Sequence, residues 1–105
     1  MTTDVHSDII SMMQYRIDFS EEKNLVLQEA RGIGFEEVVE AIGEGNIVAD
    51  FHHKNTKKYP HQRILAVQIN QYIYAVPYVL NTKKGVIFLK TVYPSRVLTK
   101  KYLKK

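Results

Sequence analysis

The sequence predicts an α+β domain: an N-terminal strand, two helices packed on an antiparallel sheet that runs as a meander, and a short C-terminal helix. Three observations predict it. Tyr15, Ile17 and Phe19 alternate with Arg16 and Asp18, the period of a half-buried strand. Phe35, Val38, Val39 and Ile42 recur at i, i+3, i+4 and i+7, one face of a helix. From Ile47 to Tyr93, short apolar stretches alternate with polar turn clusters.

Residues 1–13 show no firm pattern and are read as a leader whose order the pattern does not fix. Met12 and Met13 directly precede the first strong pattern, so translation could begin there. A single domain is expected over 14–105. After the first strand, Ser20 offers a hydroxyl to the free N–H groups of a helix, and Glu21 and Glu22 favour its positive end. That helix should run to about Arg31 and stop at Gly32, which accepts the left-handed conformation. The second helix, with its apolar stripe in the core, should end at Gly43. Strands are expected at Ile47–Phe51, Gln62–Ile69, Tyr72–Leu80 and Val86–Tyr93, with a polar basic loop over 52–61 and a two-residue hairpin at Asn70-Gln71. Pro77 cannot donate to a ladder, so a bulge or an edge is expected there. Pro94-Ser95 should break the last strand, and Arg96–Lys105 form the C-terminal helix. The two acidic helices are expected to cover one face of the sheet and leave the other free.

The chain has no cysteine, which excludes disulfides and thiolate metal sites and fits a cytoplasmic location. No apolar run approaches the roughly 20 residues of a membrane span, and no membrane partner is expected. The N-terminus lacks a basic start followed by an apolar stretch, so no secretory signal is expected.

The net charge of +4 hides a division. All eleven acidic residues lie between Asp4 and Asp50, against three basic ones, so residues 1–50 carry −8. Residues 51–105 hold twelve Lys and Arg and no acid, so they carry +12. A surface without carboxylates cannot neutralise its own lysines and attracts phosphate. The other reading is that acidic helices lie against a basic sheet and the field cancels.

Phe19-Ser20-Glu21-Glu22-Lys23 and Arg31-Gly32-Ile33-Gly34-Phe35-Glu36 resemble the opening of the BrnT-type toxins of bacterial toxin–antitoxin pairs. Lys23, Gly32, Ile33, Phe35 and Glu36 match that pattern in spacing; Ser20 stands where Asp is usual and Arg31 where His is usual. The stretch from Ile87 to Arg96, with the basic tail to Tyr102, resembles the family's last strand, its arginine and its tail, although the usual tail Glu is missing. The resemblance implies a RelE-like fold, metal-independent endoribonuclease activity against messenger RNA, ribosome-associated or not, and a cognate antitoxin.

Metal-free RNA cleavage uses the substrate's 2′-hydroxyl as nucleophile, and the protein must move protons and stabilise charge at phosphorus. The basic half offers His, Tyr, Lys and Arg. His61 is the first choice of acid or base; it also reads as a solvated loop-to-strand entry. Arg63 alternates onto the side of Leu65, Val67 and Ile69, as a phosphate clamp or as a snorkelling charge. Arg96, in the tight Tyr93-Pro94-Ser95-Arg96 corner, suits a phosphate, or caps the last helix. Tyr93 and Tyr102 could stack a base or donate a proton, or simply pack. Lys54, Lys57, Lys58, Lys90, Lys100, Lys101, Lys104 and Lys105 are RNA-phosphate contacts or solvated surface. His52, His53 and His61 do not make a metal site, since adjacent strand residues face apart and only Asp50 is near; no metal or cofactor is expected.

In a simple meander, His61 and Arg63 lie at one end of the sheet and Tyr93 and Arg96 at the other, about 26 Å away along an eight-residue strand. If they stand apart, Arg96 and the basic or aromatic residues nearest it are the candidate site. The competing functions are a ribonuclease toxin, a catalytically silent RNA-binding module, and a protein-interaction domain whose basic face meets an acidic partner.

Overall fold

The computed structural model describes residues 15–103; the leader at 1–13 and the expected helix end at Lys104 and Lys105 lie outside the described residues. The elements are β1 (Arg16–Phe19), α1 (Glu21–Arg31), α2 (Phe35–Gly43), β2 (Ile47–His52), β3 (Gln62–Ile69), β4 (Tyr72–Asn81), β5 (Val86–Leu89), β6 (Tyr93–Pro94) and α3 (Arg96–Leu103). The fold is α+β, and the sheet runs β1-β5-β4-β3-β2 with β6 paired to β4.

Local chemistry sets the helix ends. Ser20 Oγ accepts the Lys23 N–H, Glu21 and Glu22 occupy the first turn of α1, and Gly32 closes it at φ 70°. Between the helices, Asn24 is buried and its Oδ1 accepts the Phe35 N–H at 2.7 Å. Gly34 passes so close to Asn24 and Gln28 that a Cβ there would collide with both side chains. The last residue of α2 is Gly43, but the left-handed turn that follows is made by Gly45 at φ 80°. Asn70 and Gln71 both take positive φ, 52° and 65°, the pair of values a two-residue hairpin needs.

Phe35, Val38 and Ile42 of α2 and Leu27 of α1 pack on Leu65, Val67, Val76, Tyr78, Ile87 and Leu89, forming the main core on one face of the sheet. The other face is not left free. Leu98, Tyr102 and Leu103 of α3 pack there on Ala49, Ala66 and Ile73, covering the β2–β3–β4 part. Thr99 pins this helix: its Oγ1 accepts the Ile73 N–H at 2.9 Å and donates to the Ser95 carbonyl. The Ser95 N–H donates to Ile73 C=O, so α3 completes the ladder where β6 ends.

Two expectations about the sheet are corrected. It is mixed, because β1 runs parallel to β5, with Ile17 beside Ile87 and Phe19 beside Leu89. Alternation within 15–19 fixes which face β1 presents, not its direction or its distant partner. The strand expected over Val86–Tyr93 is also interrupted. Leu89 pairs with Tyr78, yet Tyr93 pairs with Ala75, so four steps along one strand answer three along the other. One extra residue, a β-bulge, lies between them, on the strand opposite Pro77 rather than in Pro77's own.

Candidate nucleic-acid interface

The bulge decides what Tyr93 faces. In an unbroken strand Tyr93 would share the side of Ile87 and Leu89, the helix-covered core. The extra residue puts Val92 into that core and turns Tyr93 to the opposite face, beside Ala75. Arg31 secures the exchange by donating from Nη1 to the Val92 carbonyl.

The basic loop folds back toward the same face. His53 N–H donates to Gln62 C=O, and Asn55 Oδ1 and C=O accept the N–H groups of Lys58 and Tyr59. The Asn55 N–H donates to His53 Nδ1 at 3.0 Å, which leaves the ring's N–H on Nε2. The His53 ring lies 4.5 Å from that of Tyr59, and Lys58 Nζ sits 5.3 Å from the Tyr59 ring. At the far side, Ser95 Oγ caps α3 by accepting the Leu98 N–H. The N–H groups of Arg96 and Val97 have no carbonyl one turn back, and the positive end of the helix lies there.

Between loop and helix is an open groove of about 320 Å³. Phe51, Ile64 and Ala75 line its sheet side; His53 and Lys54 come from the loop, and Tyr93 and Val97 from the β6–α3 corner. Among the described residues no carboxylate lines it. Tyr93 is 37% exposed and Val97 76%, so rings and apolar surface are open to a ligand.

Of the residues expected to act, the structure gathers Tyr93 and Lys54 in the groove; Arg96, exposed at the first position of α3, stands between the lining residues Ser95 and Val97 without lining the groove itself. It does not bring His61 or Arg63 into the groove. His61 is exposed in the turn before β3. Arg63 lies on the helix-covered face, as its alternation predicts, where Asp50 and Tyr78 engage it. Arg63 Nε donates to Asp50 Oδ1 at 3.2 Å and to Tyr78 Oη at 3.1 Å, and the Tyr78 hydroxyl donates to Asp50 at 2.8 Å. Arg63 Nη1 lies 3.1 Å from His52 Nε2. Burial lowers the Arg63 pKa, but the bond and charge of Asp50 outweigh it and the net direction is up. Burial, reinforced by the Asp50 charge, raises that of Tyr78. Tyr102 is half-buried in the α3 packing layer, with Lys101 Nζ 5.5 Å from its ring. Lys57, Lys90 and Lys100 are exposed.

The residue missed in the sequence is His53. Adjacent histidines gave no reason to prefer it; the cue was Asn55, two residues on, whose amide fixes its ring. The two departures from the BrnT-type pattern, Ser20 and Arg31, both hold structural posts, as a helix cap and as the support of Val92. Among the described residues one ion pair, Arg63–Asp50, joins the acidic and basic halves, so the division of charge is not cancelled pair by pair. Among them, too, no three His, Asp or Glu side chains gather as a metal site, and no helix is long and apolar enough to cross a membrane.

No protein-family model matches the chain, and no curated protein matches it. Among solved structures it is similar to a double arginine-to-alanine mutant of the E. coli toxin RelE in the free state, with 22% identity, a TM-score of 0.45, and coverage of 81% of this chain and 87% of that one.

Proposed function

We propose that this protein is the toxin of a toxin–antitoxin pair, acting in the cytoplasm as a metal-independent endoribonuclease on messenger RNA. The observation that carries the reading is the groove: one aromatic-lined cleft, without a carboxylate among the described residues, into which the basic loop and the α3 N-terminus both open. Apolar floor and aromatic walls suit an unstacked base, and cations with helix N–H groups suit the phosphate beside it. The BrnT-type resemblance narrows a polyanion to RNA and supplies the expectation of an antitoxin, whose acidic segment would close the groove.

In this reading the substrate's 2′-oxygen attacks the adjacent phosphorus as its proton passes to solvent water, and the bond to the 5′-oxygen breaks as that oxygen takes a proton from water, leaving a 2′,3′-cyclic phosphate and a 5′-hydroxyl. Arg96, Lys54 and the first N–H groups of α3 hold the phosphoryl oxygens as negative charge grows. His53 replaces His61 as the groove's imidazole; its Nε2–H donates a hydrogen bond to a phosphoryl oxygen as negative charge grows. Tyr93 stacks a flanking base.

Expression without the antitoxin should arrest growth, and Arg96→Ala should relieve the arrest while leaving the protein folded. Undiminished toxicity of Arg96→Ala would remove Arg96 from the mechanism. The second reading, RNA binding without cleavage, uses the same groove and differs only in predicting retention of intact RNA.

A further inference from the structure

A second groove lies on the same face as the first. α3 covers only the β2–β3–β4 part of that face, and among the described residues no helix packs on it beyond Pro77. A cavity of about 370 Å³ lies there, lined by Val79, Val86 and Phe88 and by Arg16, Lys84 and Lys90. Phe88 is half-buried, with one side packed on the sheet, and Lys90 Nζ stands 5.5 Å from its ring centroid. Among the described residues Asp18 is the one carboxylate in the lining, and its Oδ1 already accepts the Phe19 N–H at 2.8 Å. The three cations therefore outnumber it.

The two grooves are in line. Tyr93 is level with Ala75, and Phe88 with Val79, four residues further along the same strand. That is about 13 Å. Lys90 lies in sequence between the two aromatic residues, at the bulge. Aromatic platforms alternating with cations along a cleft are how single strands are held without regard to sequence.

We propose that the second groove holds the continuation of the RNA strand bound in the first: Phe88 stacks a base, and Arg16, Lys84 and Lys90 take the flanking phosphates. This rests on the reading of the first groove as an RNA site. It makes the substrate an extended single strand of several nucleotides rather than a lone nucleotide or a duplex.

The test uses 2′-O-methyl oligoribonucleotides, which bind but cannot be cleaved through the 2′-hydroxyl. An octamer should bind the native chain at least tenfold more tightly than a trimer. Lys84→Gln with Lys90→Gln should lower the octamer's salt slope by about 1.4, two single-strand phosphate contacts, and leave the trimer unaffected. Phe88→Leu keeps the packing and removes the stacking ring; it should weaken the octamer by about tenfold at an unchanged melting temperature. An octamer that binds both variants as it binds the native chain overturns the second groove while leaving the first intact. A native chain that retains neither oligonucleotide overturns both.

Discussion

The amide of Lys90 donates to the carbonyl of Pro77 at 2.8 Å, and the proline has no N–H to return the bond. In an antiparallel pair both groups of a residue point to the same neighbour, so Pro77 leaves that neighbour half-paired. The partner strand breaks there, gains one residue, and delivers Tyr93 to the groove and Val92 to the core.

Pro77→Val restores the missing donor and lets the two strands pair in step. RNA retention is expected to fall about tenfold, the worth of one stacked base, as Tyr93 turns away. The melting temperature should hold or rise. Full retention in this variant would mean that burial of Val92, rather than the proline, holds the bulge.

Arg63 is bound to Asp50 and Tyr78 away from the groove, and its substitution should separate stability from binding. Arg63→Gln is expected to cost about 1–3 kcal/mol in urea denaturation, because Asp50 and Tyr78 lose a charged partner, and to leave RNA affinity nearly unchanged. A loss of affinity at unchanged stability would restore Arg63 as a phosphate clamp. The same cluster sets a pH dependence. The folded pKa of Tyr78 is raised above the unfolded value of about 10. Its contribution is therefore complete below that pH and is lost as pH rises through the folded value. Native stability should decline in strong alkali, and Tyr78→Phe should remove that part of the decline.

Thr99 supplies the acceptor that the end of β6 cannot. Thr99→Val leaves the buried Ile73 N–H unsatisfied and should cost about 1–3 kcal/mol by urea denaturation, whereas Thr99→Ser keeps the hydroxyl and most of the stability. Equal stability of the two variants would mean that the methyl group, not the hydroxyl, anchors α3.

The parts of this fold that were legible in the sequence are those fixed by neighbours along the chain. Ser20 with its two glutamates, Gly32, and the stripe from Phe35 to Ile42 specify α1 and α2 locally, and Asn70-Gln71 between two apolar runs specifies the hairpin. Parallel pairing of β1 with β5 joins residues at opposite ends of the domain, and no local pattern encodes it. Tyr93 was legible as a candidate but its orientation was not, because the bulge depends on Pro77 in a different strand. The spacing Ile87, Leu89, Val92 records the lost step, and read beside Pro77 it gives the phase change. Arg63 looked like a clamp because Asp50, thirteen residues earlier, becomes its neighbour only when β2 and β3 pair. His61 looked better placed than His53 because the fold of the 52–61 loop rests on amide contacts of Asn55 that composition does not reveal.

The most direct measurement is to incubate the purified chain with messenger RNA in excess chelator and identify the new ends. Cleavage that leaves 2′,3′-cyclic phosphate and 5′-hydroxyl termini, lost in Arg96→Ala and strongly reduced in His53→Ala, is the expected result. RNA that is bound in a salt-dependent manner yet stays intact would contradict the ribonuclease and leave a binding module in its place.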